Sequence, residues 1–163
     1  MHNDLLEKLY RQYYNRAFFY VLSLCDNRTA AEEIVQDAFA EAFLSLPDHV
    51  TSFPCWLMKV CRNLTIDRWR HEKFLSPDEP KDRAGGESPE EALLGKESTA
   101  MLYRALQKLP SGERELLALY YFAQRPTGEI SAILNISPAA VRQRLARARA
   151  HLRKIMEENG HEV

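Results

Sequence analysis

The stretch Thr127-Gly-Glu-Ile-Ser-Ala-Ile-Leu-Asn-Ile-Ser-Pro-Ala-Ala-Val-Arg-Gln-Arg-Leu-Ala-Arg-Ala-Arg-Ala-His-Leu152 decides the fold. Thr127 opens a short apolar-periodic segment, and Ser137-Pro138 opens a longer one, with a proline suited to the first helical position. Only Asn135-Ile136 separate the two, and Asn tolerates a left-handed backbone. Ile130, Leu134, Ile136, Val141 and Leu145 supply a small shared core. Helix, tight turn and second helix make a helix-turn-helix.

The second helix has two characters. Val141, Leu145, Ala148, Leu152 and Ile155 form the packing face. Ala139, Arg142, Gln143, Ala146, Arg147 and Ala150 lie on another face, with Arg144 beside them. Small alanines let a helix sink into a major groove. Arginine can bridge guanine O6 and N7, glutamine can pair with adenine, and other basic groups bind phosphate. Between Arg142 and Lys154 there are six basic residues and no acid.

Outward from this segment, Ser111 precedes a helix Glu-Arg-Glu-Leu-Leu-Ala-Leu-Tyr-Tyr-Phe. Before it, Ser88-Pro-Glu-Glu91 predicts a helix running to Leu109 and closed by Pro110. Between residues 76 and 88, prolines, glycines and acids predict an exposed, flexible connector. Nearer the start, Leu5, Leu6, Leu9, Tyr10, Tyr13, Ala17, Val21 and Leu22 recur at helical spacing. Thr29-Ala-Ala-Glu32 reads as a capping box, ahead of a stripe of Ile34, Val35, Ala38, Phe39, Ala42 and Phe43. A third helix is predicted from Pro54 to Lys73, burying Trp56, Leu57, Val60, Cys61 and Leu64. No alternating strand pattern appears. The expectation is an all-α chain of two small helical domains, a three-to-four-helix unit over 1–75 and a helix-turn-helix unit over 98–163. Residues 76–97 form the flexible acidic linker and the start of the next helix.

The formal net charge of the 163 residues is −1, with 22 basic and 23 acidic side chains. That near-neutrality conceals three regions. Residues 1–75 hold 9 basic and 10 acidic groups, 76–97 hold 3 and 7, and 98–163 hold 10 and 6. A hydrophobic share of 45% suits a globular protein. The longest apolar runs, Ala17–Leu22 and Leu116–Ala123, fall far short of the roughly 20 residues that span a bilayer. The first residues lack the pattern of a signal peptide. Cys25, Cys55 and Cys61 are odd in number and lack CxxC spacing, so reduced thiols in a cytoplasmic protein are expected. His2, His49, His71, His151 and His161 are scattered. With no nucleophile–base set, phosphate loop or paired metal ligands, neither catalysis, nor a metal, nor a cofactor is expected.

The segment Arg114-Glu-Leu-Leu through His151-Leu-Arg153 resembles the fourth conserved region of bacterial sigma factors of the extracytoplasmic-function (ECF) group. Arg114, Glu115, Glu129, Ile130, Val141, Arg142, Arg144, Leu145, Arg147, Ala148 and Arg149 occupy the family's places. Ala31-Glu-Glu-Ile-Val-Gln-Asp-Ala-Phe39 resembles the second-region helix. Phe53-x-x-Trp56-Leu57, Arg62-Asn63-Leu64, Ile66-Asp67 and Arg70 match the motif that follows it. The resemblance covers residues 5–73 and 98–156 in the family's order. Three departures stand out: a loop Pro47–Ser52 a few residues short, Gly128 in the first helix of the pair, and Asn135 where the turn glycine is usual.

The resemblance implies a promoter-specificity factor that performs no chemistry of its own. Glu32, Glu33, Gln36 and Asp37 would face core RNA polymerase. Lys59, Arg62, Asn63, Asp67 and Arg70 would bind the minus-ten element as separated single strand, the basic groups on phosphates and Asn63 on base edges. Asp67 is open to a second reading, as the partner of a neighbouring arginine. Ala139, Arg142, Gln143, Arg144, Ala146 and Arg147 would read the minus-thirty-five element in duplex DNA. The implied partners are core polymerase, promoter DNA and a cognate anti-sigma factor, often membrane-anchored, with no direct membrane insertion by this chain. The rival reading is a dimeric helix-turn-helix regulator with a helical sensor domain, which would need a two-fold interface and a palindromic operator.

Overall fold

The computed structural model describes residues 2–46, 52–75 and 97–159, and within them every regular element is α-helical. The helices are α1 (His2–Cys25), α2 (Arg28–Ser45), α3 (Phe53–Leu75), α4 (Glu97–Leu106), α5 (Ser111–Tyr121), α6 (Thr127–Leu134) and α7 (Pro138–Glu158). The short loop over 47–51, the acidic connector over 76–96 and the expected helix start at Ser88 lie outside the described residues.

α1 to α3 pack on one another through the predicted stripes. Ala17, Val21 and Leu22 of α1 are buried against Ile34, Val35, Ala38 and Phe39 of α2 and Leu57, Met58 and Cys61 of α3. Aromatic rings close the outer end, Tyr10 meeting Phe39 edge-on at 4.8 Å and Phe53 lying 5.9 Å from Trp56. Trp56, Val60 and Leu64 are only half-buried, shallower than the sequence pattern implied.

Two helix ends differ from expectation. Asn27, not Thr29, caps α2: its backbone is extended (φ −146°, ψ 112°) and its side chain accepts from the Ala30 amide at 3.0 Å. Thr29 therefore sits inside the first turn, and Glu32 pairs with Arg28 at 3.1 Å instead of reaching back to the cap. Asn matches or exceeds Thr as a cap, and the earlier start lengthens α2 by two residues. The helix closed by Pro110 ends earlier, at Leu106. The Arg114 side chain donates to the carbonyls of Leu106 (3.3 Å) and Leu109 (2.9 Å), satisfying the loose end of that helix.

The two helical groups meet along a seam and share one continuous apolar core. Phe19 of α1 packs on Phe122, just past α5, with ring centres 5.5 Å apart. Buried Tyr103 of α4 donates to the Leu22 carbonyl and to Asp26. Gln107 donates to the Ser23 carbonyl at 3.1 Å. α6 lies along α3. Local sequence patterns do not reveal such a seam, because its partners are separated by 53 to 103 residues.

Candidate nucleic-acid and polymerase interface

α6 and α7 form the helix-turn-helix. Asn135 adopts the left-handed conformation expected of it (φ 57°, ψ 47°), and the Ile136 amide donates to the Ser131 carbonyl at 3.1 Å. This is the geometry with which helices are commonly closed before a sharp turn. Ser137 then caps α7 by accepting from the Ala140 amide at 3.1 Å, with Pro138 in the first turn. The core beneath is Ile130, Ile133, Val141, Leu145, Ala148 and Leu152, all buried. Ile133 thus takes the core place expected of Leu134, which is half-buried. The caps predicted for α5 and α6 shift by one residue: Ser111 and Thr127 are the first helical residues, preceded by Pro110 and Pro126.

Every side chain of the predicted reading face is outward. Ala139, Arg142, Gln143, Arg144, Ala146 and Arg147 are exposed, and none makes an ion pair or side-chain hydrogen bond with another described residue. Arg149, two residues further on, differs. It donates to the Tyr121 hydroxyl at 3.2 Å and stands 5.0 Å from the Tyr120 ring centre. The hydrogen bond to Tyr121 raises the Arg149 pKa above its usual value. Arg142, Arg144 and Arg147 are therefore open over the first three turns of α7, while Arg149 is tied to its own domain.

The front residues are placed on two helices. Lys59, Asn63, Asp67 and Arg70 are exposed along α3, sharing a broad outward face. Arg62 is not among them. Its side chain is 29% exposed and turns to the seam, where it donates to Glu115 of α5 at 2.9 Å. A second contact reaches the other carboxylate oxygen at 3.4 Å. Buried Tyr20 donates to the same Glu115 at 2.8 Å. Burial first, and the neighbouring carboxylate second, push the Tyr20 phenol well above its ordinary value. Asp67 forms none of the described ion pairs, so the structure does not supply the arginine partner of its second reading.

On α2, Glu33, Gln36 and Asp37 point outward and Glu32 is half-exposed. Three of the four are already engaged. Glu32 meets Arg28, Glu33 accepts from Arg68 of α3 at 2.8 Å, and Gln36 donates to the Tyr10 hydroxyl at 2.8 Å. Arg68 also meets Glu72 at 3.3 Å, and these carboxylates, Glu33 foremost, raise its pKa. Beyond the acidic set, Phe43 and Leu44 of α2 are 52% and 82% exposed. Sequence periodicity placed Phe43 in the apolar stripe, whereas it faces outward near the end of the helix.

Burial raises the thiols of Cys25 to about 11 and Cys61 to about 12, so both are inert at neutral pH. Among the described residues no group of His, Cys, Asp and Glu is arranged to hold a metal ion, and no helix is long and apolar enough to cross a membrane.

Fold and surfaces together define a helical DNA-binding protein in two parts, the rear one a helix-turn-helix with an open basic face. The Sigma-70 region 2 family matches residues 9–74, and the Sigma-70 region 4 family matches residues 99–152. The chain is 31% identical over 159 residues to the ECF RNA polymerase sigma factor SigM of Bacillus subtilis, covering 92% of this chain and 94% of that one. To SigW of the same organism it is 32% identical over 145 residues, with coverage of 78% and 76%. The probable sigma factor RfaY of Xanthomonas campestris is 34% identical over 141 residues, and that match spans 81% of this chain but only 35% of RfaY. In fold, the chain resembles the sigma factor RpoE of Bartonella quintana, solved with the anti-sigma factor NepR. The TM-score is 0.75, coverage 93% and 96%, and identity 18%. The chain belongs to the ECF group of RNA polymerase sigma factors, and its function is that of an alternative sigma factor in promoter-directed transcription initiation.

Proposed function

We propose that three surfaces divide this work. The exposed face of α7, with Arg142, Gln143, Arg144 and Arg147 between Ala139 and Ala146, reads the minus-thirty-five element in the major groove. The outward face of α3, with Lys59, Asn63, Asp67 and Arg70 joined by Arg62, holds the melted minus-ten strand. Glu32, Glu33, Gln36 and Asp37 of α2 meet a basic surface of core polymerase. The chain makes no bonds itself, acts in the cytoplasm and is regulated by an anti-sigma protein that competes for these surfaces, as the complexes of RpoE with NepR and of CnrH with the cytosolic domain of CnrY suggest.

The observation that carries this reading is the reading face of α7: four exposed polar side chains without intramolecular partners among the described residues, on a helix presented by a tight turn. A solvated surface helix would ordinarily intersperse acids. Run-off transcription with purified core polymerase, this protein and a pool of promoter fragments tests it. The factor should impose promoter-selective initiation on the core. Equal initiation with and without the factor would refute the reading.

A further inference from the structure

Arg149 is not one of the base-reading side chains, yet it is exposed on the same helix and held firmly in place. Its Nε donates to the Tyr121 hydroxyl at 3.2 Å. Its guanidinium stands 5.0 Å from the Tyr120 ring centre and 6.0 Å from that of Tyr121. The two rings meet edge-on, with centres 5.1 Å and planes 83° apart. Both tyrosines are half-buried at the end of α5. A two-ring seat anchored in the core of the rear half therefore grips one edge of an exposed cation.

The seat is neutral. Arg28, Arg62, Arg68 and Arg125 each meet a carboxylate. Arg149 meets a hydroxyl and two aromatic rings instead, so its charge is located without being compensated. Only Nε is used, and both terminal nitrogens are without a partner among the described residues. That pair is the fork with which arginine takes two oxygens of one phosphate. Arg149 follows Arg142 by seven residues, which puts it about 10 Å further along α7 and on nearly the same side. It thus flanks the reading face, where a helix leaving the major groove passes the backbone. A brace between helices needs no such arrangement: α5 and α7 already pack together, and His151 lies 2.7 Å from Glu113 of α5.

We propose that Tyr120, Tyr121 and Arg149 form a preformed phosphate clamp: the terminal nitrogens of Arg149 grip a backbone phosphate beside the minus-thirty-five element, and Tyr121 is the positioning residue that aims them. A side chain already restrained loses less freedom on contact, so the clamp binds better than a loose arginine. Phosphate contacts fix register and orientation and carry no sequence information. Arg149 therefore sets affinity and the seating of α7, whereas Arg142 and Arg147 set base preference. The clamp rests on the reading of α7 as the minus-thirty-five helix.

Binding of the assembled holoenzyme to duplex promoter fragments, measured over a series of salt concentrations, tests the clamp. Arg149→Ala should reduce the slope of log affinity against log salt by about 0.9, the counterion release of one phosphate, with base preference unchanged. Tyr121→Phe keeps the charge and the ring and removes the hydroxyl alone. It should weaken binding about threefold at an unchanged slope, the loss if the well-aimed fraction of the guanidinium falls from about nine tenths to about three tenths. Arg149→Lys keeps the charge without the fork and should likewise lose affinity while retaining the slope. An R149A slope equal to that of wild type overturns the phosphate contact. Full-strength binding by Y121F overturns the positioning by Tyr121, and full-strength binding by R149K overturns the fork. Arg142→Ala in the same assay separates the clamp from the reading beneath it. Unchanged base preference in R142A refutes the minus-thirty-five role of α7 itself, whereas altered preference in R142A beside an unchanged slope in R149A refutes the clamp alone.

Discussion

Arg147 on α7 and Arg62 on α3 carry the same guanidinium and meet opposite surroundings. Arg147 stands exposed with no partner among the described residues, while Arg62 is drawn into the seam by Glu115. The contrast extends to their neighbours. Along the first turns of α7 the polar groups are free. On α2 and α3 of the front half, Glu32, Glu33, Gln36 and Arg62 are each bonded within the molecule. A rear surface of this kind is preorganised and needs only its ligand. A front surface of this kind must exchange internal partners for external ones. Any ligand bound there must offset the bonds that are broken.

The largest effect that can break this comparison concerns the shared core. Leu117 of α5 is fully buried in the cluster that joins both halves. Leu117→Ala should cost about 2–5 kcal/mol in chemical denaturation. Because the core is continuous, the loss should appear in one cooperative transition seen equally by front and rear probes. Two separate transitions, with only the rear one shifted, would show that the halves are energetically independent and that the seam contributes little.

Next in size are the open arginines. Arg142→Ala or Arg147→Ala should weaken holoenzyme binding at the minus-thirty-five element by about 1–3 kcal/mol where the residue pairs bidentately with a base. The loss should be accompanied by relaxed preference at one base position. Arg149→Ala provides the internal contrast. Its guanidinium is bonded to Tyr121, so removing it should change base preference little. Equal loss of specificity for Arg149 and Arg147 would erase the distinction between free and engaged arginines.

A smaller effect tests the turn that aims α7. Asn135 has φ 57°. Asn135→Gly should be close to neutral, because glycine accepts this conformation without a Cβ penalty. Asn135→Ala should destabilise by about 1–2 kcal/mol, the cost of a left-handed backbone for an ordinary residue. Thermal unfolding of the two variants would decide it, and equal stability of both would mean the turn relaxes instead of holding its geometry.

What could be read from the sequence divides along the same line. The helix-turn-helix was legible almost residue by residue, because everything that makes it is local: Asn135 in the turn, Ser137 on its cap, and buried and exposed faces set by helical periodicity. The outward placement of Ala139, Arg142, Gln143, Ala146, Arg147 and Ala150 followed from that periodicity, and Arg144 was added by the family motif. Helix ends were less legible where two good caps compete, as Asn27 and Thr29 do. On a lone helix the spacing of Arg62 from Lys59 and Arg70 puts it on the outward face of α3. Its true neighbour comes from α5, 53 residues away, and no local pattern encodes that meeting. The same holds for Arg68 with Glu33, which joins α3 to α2. Glu115 itself was visible as part of an Arg-Glu motif, but its tertiary partners were not.

The smallest expected effect addresses the front surface directly. Glu33→Ala with Gln36→Ala should weaken binding to core polymerase by about 1 kcal/mol or less, because exposed charges are screened and each of these side chains already has an internal partner. Loss of Glu33 also releases Arg68, whose like-signed meeting with a basic polymerase surface adds to the penalty. The deficit should shrink as salt is raised, as expected for an electrostatic contact between exposed groups. At saturating factor, promoter preference should be unchanged, since α7 is untouched. A double variant that binds core at full strength in low salt would remove α2 from the polymerase interface. The bonds of Glu33 and Gln36 would then serve only to brace the three front helices, and the contrast between an open rear and a committed front would be one of structure rather than of binding.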